Sequence, residues 1–135
     1  MDEKDFKDQL TDLPPEKRKL FAELLDLKKN LKRTHDAHKT FLDFVKFLWP
    51  DFIEGTHHRI IAEKFDRIAK GTLKRLIVNM PPRHTKSEFA SFMLPAFIMG
   101  RNPLTKIIQT SHTAELSQRF GRKTKNLIDS PEYKK

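Results

Sequence analysis

Apolar positions recur at helical spacing through the first half of the chain. Leu20, Leu24, Leu27 and Leu31 mark one face of a segment, Phe21 and Leu25 lie beside them, and Lys17, Lys28, Lys29 and Lys32 lie opposite. This pattern predicts an amphipathic helix, begun at Pro14-Pro15, where a missing backbone N–H costs little. A second helical pattern runs through Phe41, Phe44, Val45 and Leu48 and stops at Trp49-Pro50, because proline disfavours helical geometry in the residue before it. A third has Thr56 as its expected N-cap, carries Ile60, Ile61, Phe65 and Ile68, and ends at Gly71.

The period then changes. Residues 73–79 contain the continuous apolar run Leu76-Ile77-Val78, as expected for a strand covered on both faces. Pro81-Pro82 breaks that run. From Ser87 the pattern is helical again, with Phe89, Phe92, Met93 and Phe97, and Pro95 should kink this helix or split it. Gly100 and Asn102-Pro103 end it. Residues 106–110, centred on Ile107-Ile108, predict a second short strand. Ser111 or Thr113 can cap a last helix with Leu116, Phe120, Leu127 and Ile128 inward and Arg119, Arg122, Lys123 and Lys125 outward. The expected fold class is therefore α/β. A helical N-terminal segment occupies residues 1–50, and residues 51–135 form a β-α-β-α core of parallel strands with an incomplete sheet.

Composition changes this picture in two ways. The 135 residues carry a formal net charge of +9, which favours polyanionic partners, nucleic acid first. The chain has no cysteine, which removes disulfides and thiolate metal sites. No apolar run reaches the roughly 20 residues needed to span a bilayer, and Met1-Asp2-Glu3-Lys4-Asp5 is unlike a signal peptide. A soluble, intracellular protein is expected.

The chemistry centres on Met80-Pro81-Pro82-Arg83-His84-Thr85-Lys86-Ser87. An apolar run, a tight loop, a Lys-Ser pair and a helix form the layout of a phosphate-binding loop. In such loops backbone N–H groups and the helix N-terminus converge on phosphate oxygens, the lysine reaches the outer phosphates and the hydroxyl holds magnesium. The usual spacing places glycines where Met80 and Thr85 stand. If the loop requires positive φ at Thr85, strain on the order of 1–3 kcal/mol follows. Spent against binding, that is roughly a ten- to hundredfold loss of affinity. Arg83 is placed to set a guanidinium against a γ-phosphate. The six histidines show no His-x-x-x-His spacing with a nearby carboxylate, so metal ligation by them is not expected. After Lys86 the acidic residues are Glu88, Glu115, Asp129 and Glu132, and none follows an apolar strand as a second magnesium site requires. The chain by itself is not expected to turn over ATP efficiently.

The run from Lys74 to Glu88 resembles the ATPase start of the large subunit of tailed-phage terminases. Leu94-Pro95-Ala96, Gly100-Arg101-Asn102-Pro103, Leu127-Ile128-Asp129-Ser130-Pro131-Glu132-Tyr133, Trp49-Pro50 and His57-His58-Arg59 fit the same pattern. The resemblance covers roughly residues 40–135. It implies the front piece of a DNA-packaging motor, an ASCE-type P-loop ATPase joined in the family to an RNase H-like nuclease. This chain would then be a truncated gene, one part of a split gene, or a fragment. By this resemblance Arg83, His84, Thr85, Lys86 and Ser87 would bind ATP and Mg2+, with Ser87 on the metal and Arg83 catalytic at the γ-phosphate. His58 would lie where the family contacts adenine. Met80 without glycine is a habit of the family, whose loop often reads Pro-Pro-Arg-x-Gly-Lys-Ser, whereas Thr85 departs from it and predicts weak nucleotide binding. The acidic Walker B site and the nuclease have no counterpart in these residues. The implied partners are double-stranded DNA, the terminase small subunit, the portal protein and a second chain completing the ATPase core, all in the host-cell cytoplasm. The alternative, from charge alone, is a non-catalytic basic helical module that binds DNA or a packaging partner.

Overall fold

A computed structural model of the protein describes residues 14–134. The chain divides into two compact units, Met1–His35 and Asp36–Lys135. The regular elements are α1 (Pro15–Ala37), α2 (Phe41–Leu48), α3 (Thr56–Ala69), a π-helical segment (Glu88–Met93) that runs directly into α4 (Leu94–Arg101), and α5 (Ala114–Asp129). Among the described residues every regular element is helical, and none of these helices is long and apolar enough to cross a membrane.

The α/β expectation is therefore corrected. Residues 73–81 and 105–111 carry no regular structure and form no ladder with each other. A parallel pair of strands has little stability without further strands beside it and helices on both faces. Leu76 and Val78 pack against the core, but Ile77 between them is 87% exposed, so the run is covered on one face only. Ile108 is 90% exposed.

The helix boundaries follow local chemistry closely. Thr40 caps α2: its hydroxyl accepts from Asp43 N–H at 3.1 Å and donates to the Asp43 carboxylate at 2.6 Å. α2 ends at Trp49, as Pro50 requires. α3 starts one residue earlier than expected, with Gly55 as N-cap and Thr56 already helical. Its far end is a Schellman motif. Gly71 N–H bonds Ile68 C=O, Thr72 N–H bonds Arg67 C=O, both at 2.9 Å, and Gly71 has φ +73°.

Pro95 divides the fourth helical stretch as its chemistry demands. The Leu94 N–H reaches back five residues to Phe89 C=O, and proline supplies no N–H for Ser91 C=O, four residues before it. The Gln109 side-chain amide donates to that carbonyl at 2.5 Å, which ties the extended segment 105–111 to the helix. Thr113 caps α5 by accepting from Leu116 N–H at 3.3 Å.

The core of the second unit joins α2, α3, the π segment and α4. Phe41 is fully buried at its centre, edge-on to Phe65, Phe89 and Phe97 at ring distances of 5.2, 5.3 and 5.6 Å. Its own N–H donates to the Asp66 carboxylate at 2.8 Å, so α2's N-terminus is held by α3. Arg101 lies 4.8 Å above Phe97 and donates to the carbonyls of His38 and Lys39, at 3.1 and 3.2 Å. Tyr133 donates to Ala96 C=O at 2.7 Å and fastens the residues after α5 onto α4.

Truncating Phe41 to Ala should cost about 3–5 kcal/mol, a large share of a small domain's stability, in chemical denaturation. Gly71→Ala should cost about 1–2 kcal/mol in the same measurement. A Cβ there meets open space, so the whole cost is the left-handed backbone.

Candidate phosphate-binding loop

The loop 80–88 leaves the extended run at Met80 and enters a helix at Lys86. Arg83 and Thr85 have φ of +64° and +57°, the left-handed region that β-branched and bulky residues avoid. Alternation into that region turns successive N–H groups toward one side, the geometry of an anion-binding nest. The residues 80–88 line a cavity of about 430 Å3. The helix's first backbone bond is Phe89 N–H to Thr85 C=O at 2.9 Å. The N–H groups of Lys86, Ser87 and Glu88 precede it and have no backbone acceptor among the described residues. Lys86 extends its ammonium across the loop to 3.3 Å from Met80 C=O. The Arg83 side chain is exposed beside it, and the Ser87 hydroxyl makes no capping bond.

Thr85 occupies the strained position that the sequence flagged, and its hydroxyl holds it there. The Thr85 hydroxyl donates to His84 C=O at 2.7 Å and lies 2.7 Å from His58 Nε2. Gly55 N–H points at His58 Nδ1 at 2.9 Å. A backbone N–H can only donate, so Nδ1 is the acceptor and the neutral ring carries its proton on Nε2, which donates to Thr85. His58 is buried, with its ring against Phe52 and Phe89 at 4.8 and 5.2 Å. Both ring nitrogens are thus engaged within the chain. His58 acts as a brace between the start of α3 and the loop.

Two further histidines complete this wall. The His57 ring is 3.8 Å from His58 and 5.7 Å from His84, and His84 Nδ1 donates to Pro82 C=O at 2.9 Å. Among the described residues no three His, Asp or Glu side chains are placed to hold a metal ion. Glu88, in the first helical turn, is held by Lys123 of α5 at 2.8 Å, and that ammonium also lies 5.0 Å over Phe92. Lys123 therefore faces the structure, while Arg119, Arg122 and Lys125 remain exposed. A second, more apolar cavity of about 360 Å3 adjoins the loop at Met80, walled by His57, Ile60, Ile61 and residues 76–79.

The loop and its flanks thus bring together Arg83, His84, Thr85, Lys86, Ser87 and His58, with His58 behind the loop rather than in its cavity. Sequence reading missed the brace, because nothing in the spacing of His58 and Thr85, 27 residues apart, signals a hydrogen bond. It missed the Glu88–Lys123 pair for the same reason. Compared with family models, with curated proteins and with solved structures, the chain finds no match.

Burial, then the neighbouring His57 and His84, push the His58 pKa below its ordinary 6.5, and Glu54 opposes them. A depressed histidine stabilises the fold above the unfolded pKa, and that contribution is lost as pH falls below about 6.5. Glu54 and Glu63 also have lowered pKa values, the first through bonds to Lys46 and Arg59, the second through Lys64. Their contributions fade only below their unfolded value of 4.5. Thermal stability should therefore fall as pH is lowered below about 6.5, and His58→Gln should flatten that fall.

Thr85→Val keeps the strain and removes the hydroxyl, leaving the buried His58 N–H without an acceptor. It should destabilise the protein by about 1–3 kcal/mol in urea denaturation. Thr85→Gly loses the same bond but relieves the backbone, and should lie within about 1 kcal/mol of the wild type.

Proposed function

We propose that loop 80–88 binds the phosphate chain of a nucleotide, ATP with Mg2+, as the nucleotide-binding part of a terminase-like DNA-packaging protein of the host-cell cytoplasm. The observation that carries the reading is the two left-handed residues curling the backbone around a cavity at a helix start, with Lys86 across its mouth. Helix N–H groups and a lysine are the donors that polyphosphate requires. Lys86 and the N–H groups of Lys86, Ser87 and Glu88 hold the β- and γ-phosphates, and Arg83 neutralises the outer oxygens. Ser87 offers one hydroxyl to Mg2+, whose other ligands come from the nucleotide and water. The adjoining cavity against Ile60 and Ile61 supports this reading, since its apolar lining suits a base. Bound Mg2+ would neutralise charge between the phosphates. With Glu88 engaged by Lys123, the loop supplies no carboxylate to activate water, so the chain's own task is binding rather than turnover.

A second reading, a basic module for DNA, is favoured by the exposed Arg119, Arg122 and Lys125 along α5. It predicts DNA affinity that falls steeply with salt and ignores the loop.

Mg·ATP at ten times its Kd should raise the melting temperature by about 4 °C or more, and Lys86→Ala should abolish the shift. ATP should also bind more tightly than inorganic tripolyphosphate, which lacks the base. No shift at millimolar nucleotide, in the wild type and in Thr85→Gly, would rule the nucleotide reading out. Salt-sensitive DNA binding unchanged by Lys86→Ala would then favour the second.

A further inference from the structure

Among the described residues the leucine stripe of α1 joins no buried core. Leu20, Leu24, Leu27 and Leu31 are 54–63% exposed, far more than an ordinary packing stripe. Their intervals of four, three and four residues follow the a/d alternation of a two-stranded coiled-coil seam. In heptad terms Leu20 and Leu27 take d, and Leu24 and Leu31 take a.

That register also places charges. Glu23 falls at g and Lys28 at the following e, the two positions that meet across a parallel pair of helices. Glu16 falls at g beside Lys17 at a, so a partner's Glu16 is within reach of a lysine that would otherwise weaken the seam. An antiparallel pairing sets e against e and g against g, where neither Glu23 nor Lys28 meets an opposite charge. The complementarity is thus specific to a partner with the same sequence in the same direction.

We propose that α1 is a self-association element: a second copy of this chain docks in parallel along Leu20, Leu24, Leu27 and Leu31, with Glu23 of each copy facing Lys28 of the other. The seam is only two heptads long, so the association is weak and concentration-dependent.

Sedimentation equilibrium of the full chain tests this. The average mass should rise from 15.9 kDa toward twice that value between micromolar and millimolar concentration. Leu24→Glu with Leu27→Glu should leave a monomer with unchanged near-UV circular dichroism, since both side chains are exposed. Glu23→Lys turns two symmetry-related attractions into repulsions and should weaken association roughly tenfold, and adding Lys28→Glu should restore it. A chain that stays monomeric throughout would overturn the proposal. So would association that survives the double leucine replacement, or a Glu23→Lys variant that associates as well as the wild type.

Discussion

The second unit depends on Phe41 and its edge-on contact with Phe89. Phe41 gathers α2, α3, the π segment and α4 around one ring, and Phe89 is the member of that cluster nearest the loop. Phe89 sits three residues after Lys86, and its N–H makes the helix's first backbone bond, to Thr85. Its ring also packs against His58. The core therefore fixes both ends of the loop's support: the helix that follows the loop and the histidine that braces it from behind.

Strain and bracing are linked at Thr85. A β-branched residue at φ +57° is unfavourable by an amount comparable to one or two good hydrogen bonds. The Thr85 hydroxyl makes two, to His84 C=O and to His58. A glycine would adopt the same backbone without help, but it would leave His58 with a buried, unpaired N–H. Threonine and histidine thus work as a pair here, and of the two it is the histidine that can take up a proton. Protonating His58 puts a donor where Gly55 N–H already points, so acid loosens the start of α3 and the back of the loop together.

Local signals in the sequence were readable because local chemistry sets them. Thr113 as a cap, Trp49-Pro50 as a stop, Gly71 as a left-handed terminator and Pro95 as a divider all appear where backbone rules place them, whereas the Thr40 cap is seen only in the structure. Thr56 was displaced by one residue, because Gly55 gains an N–H acceptor in His58 that propensity alone does not reveal. The strands were misread because Leu76-Ile77-Val78 and Ile107-Ile108 have strand composition, whereas a strand exists only with ladder partners, and these segments have none among the described residues. In the loop, the left-handed demand at Thr85 was legible from residue type and spacing. The His58 brace and the Glu88–Lys123 pair were not, because both join positions far apart in the chain.

On the reading proposed above, the N–H groups at the start of the loop's helix receive phosphate. A 15N-labelled sample titrated with Mg·ATP tests it residue by residue. The account predicts that the amide resonances of Lys86, Ser87 and Glu88 shift most, with those of Arg83 and Thr85 following. Loop amides that stay unmoved while shifts gather along the basic faces of α1 and α5 would contradict it.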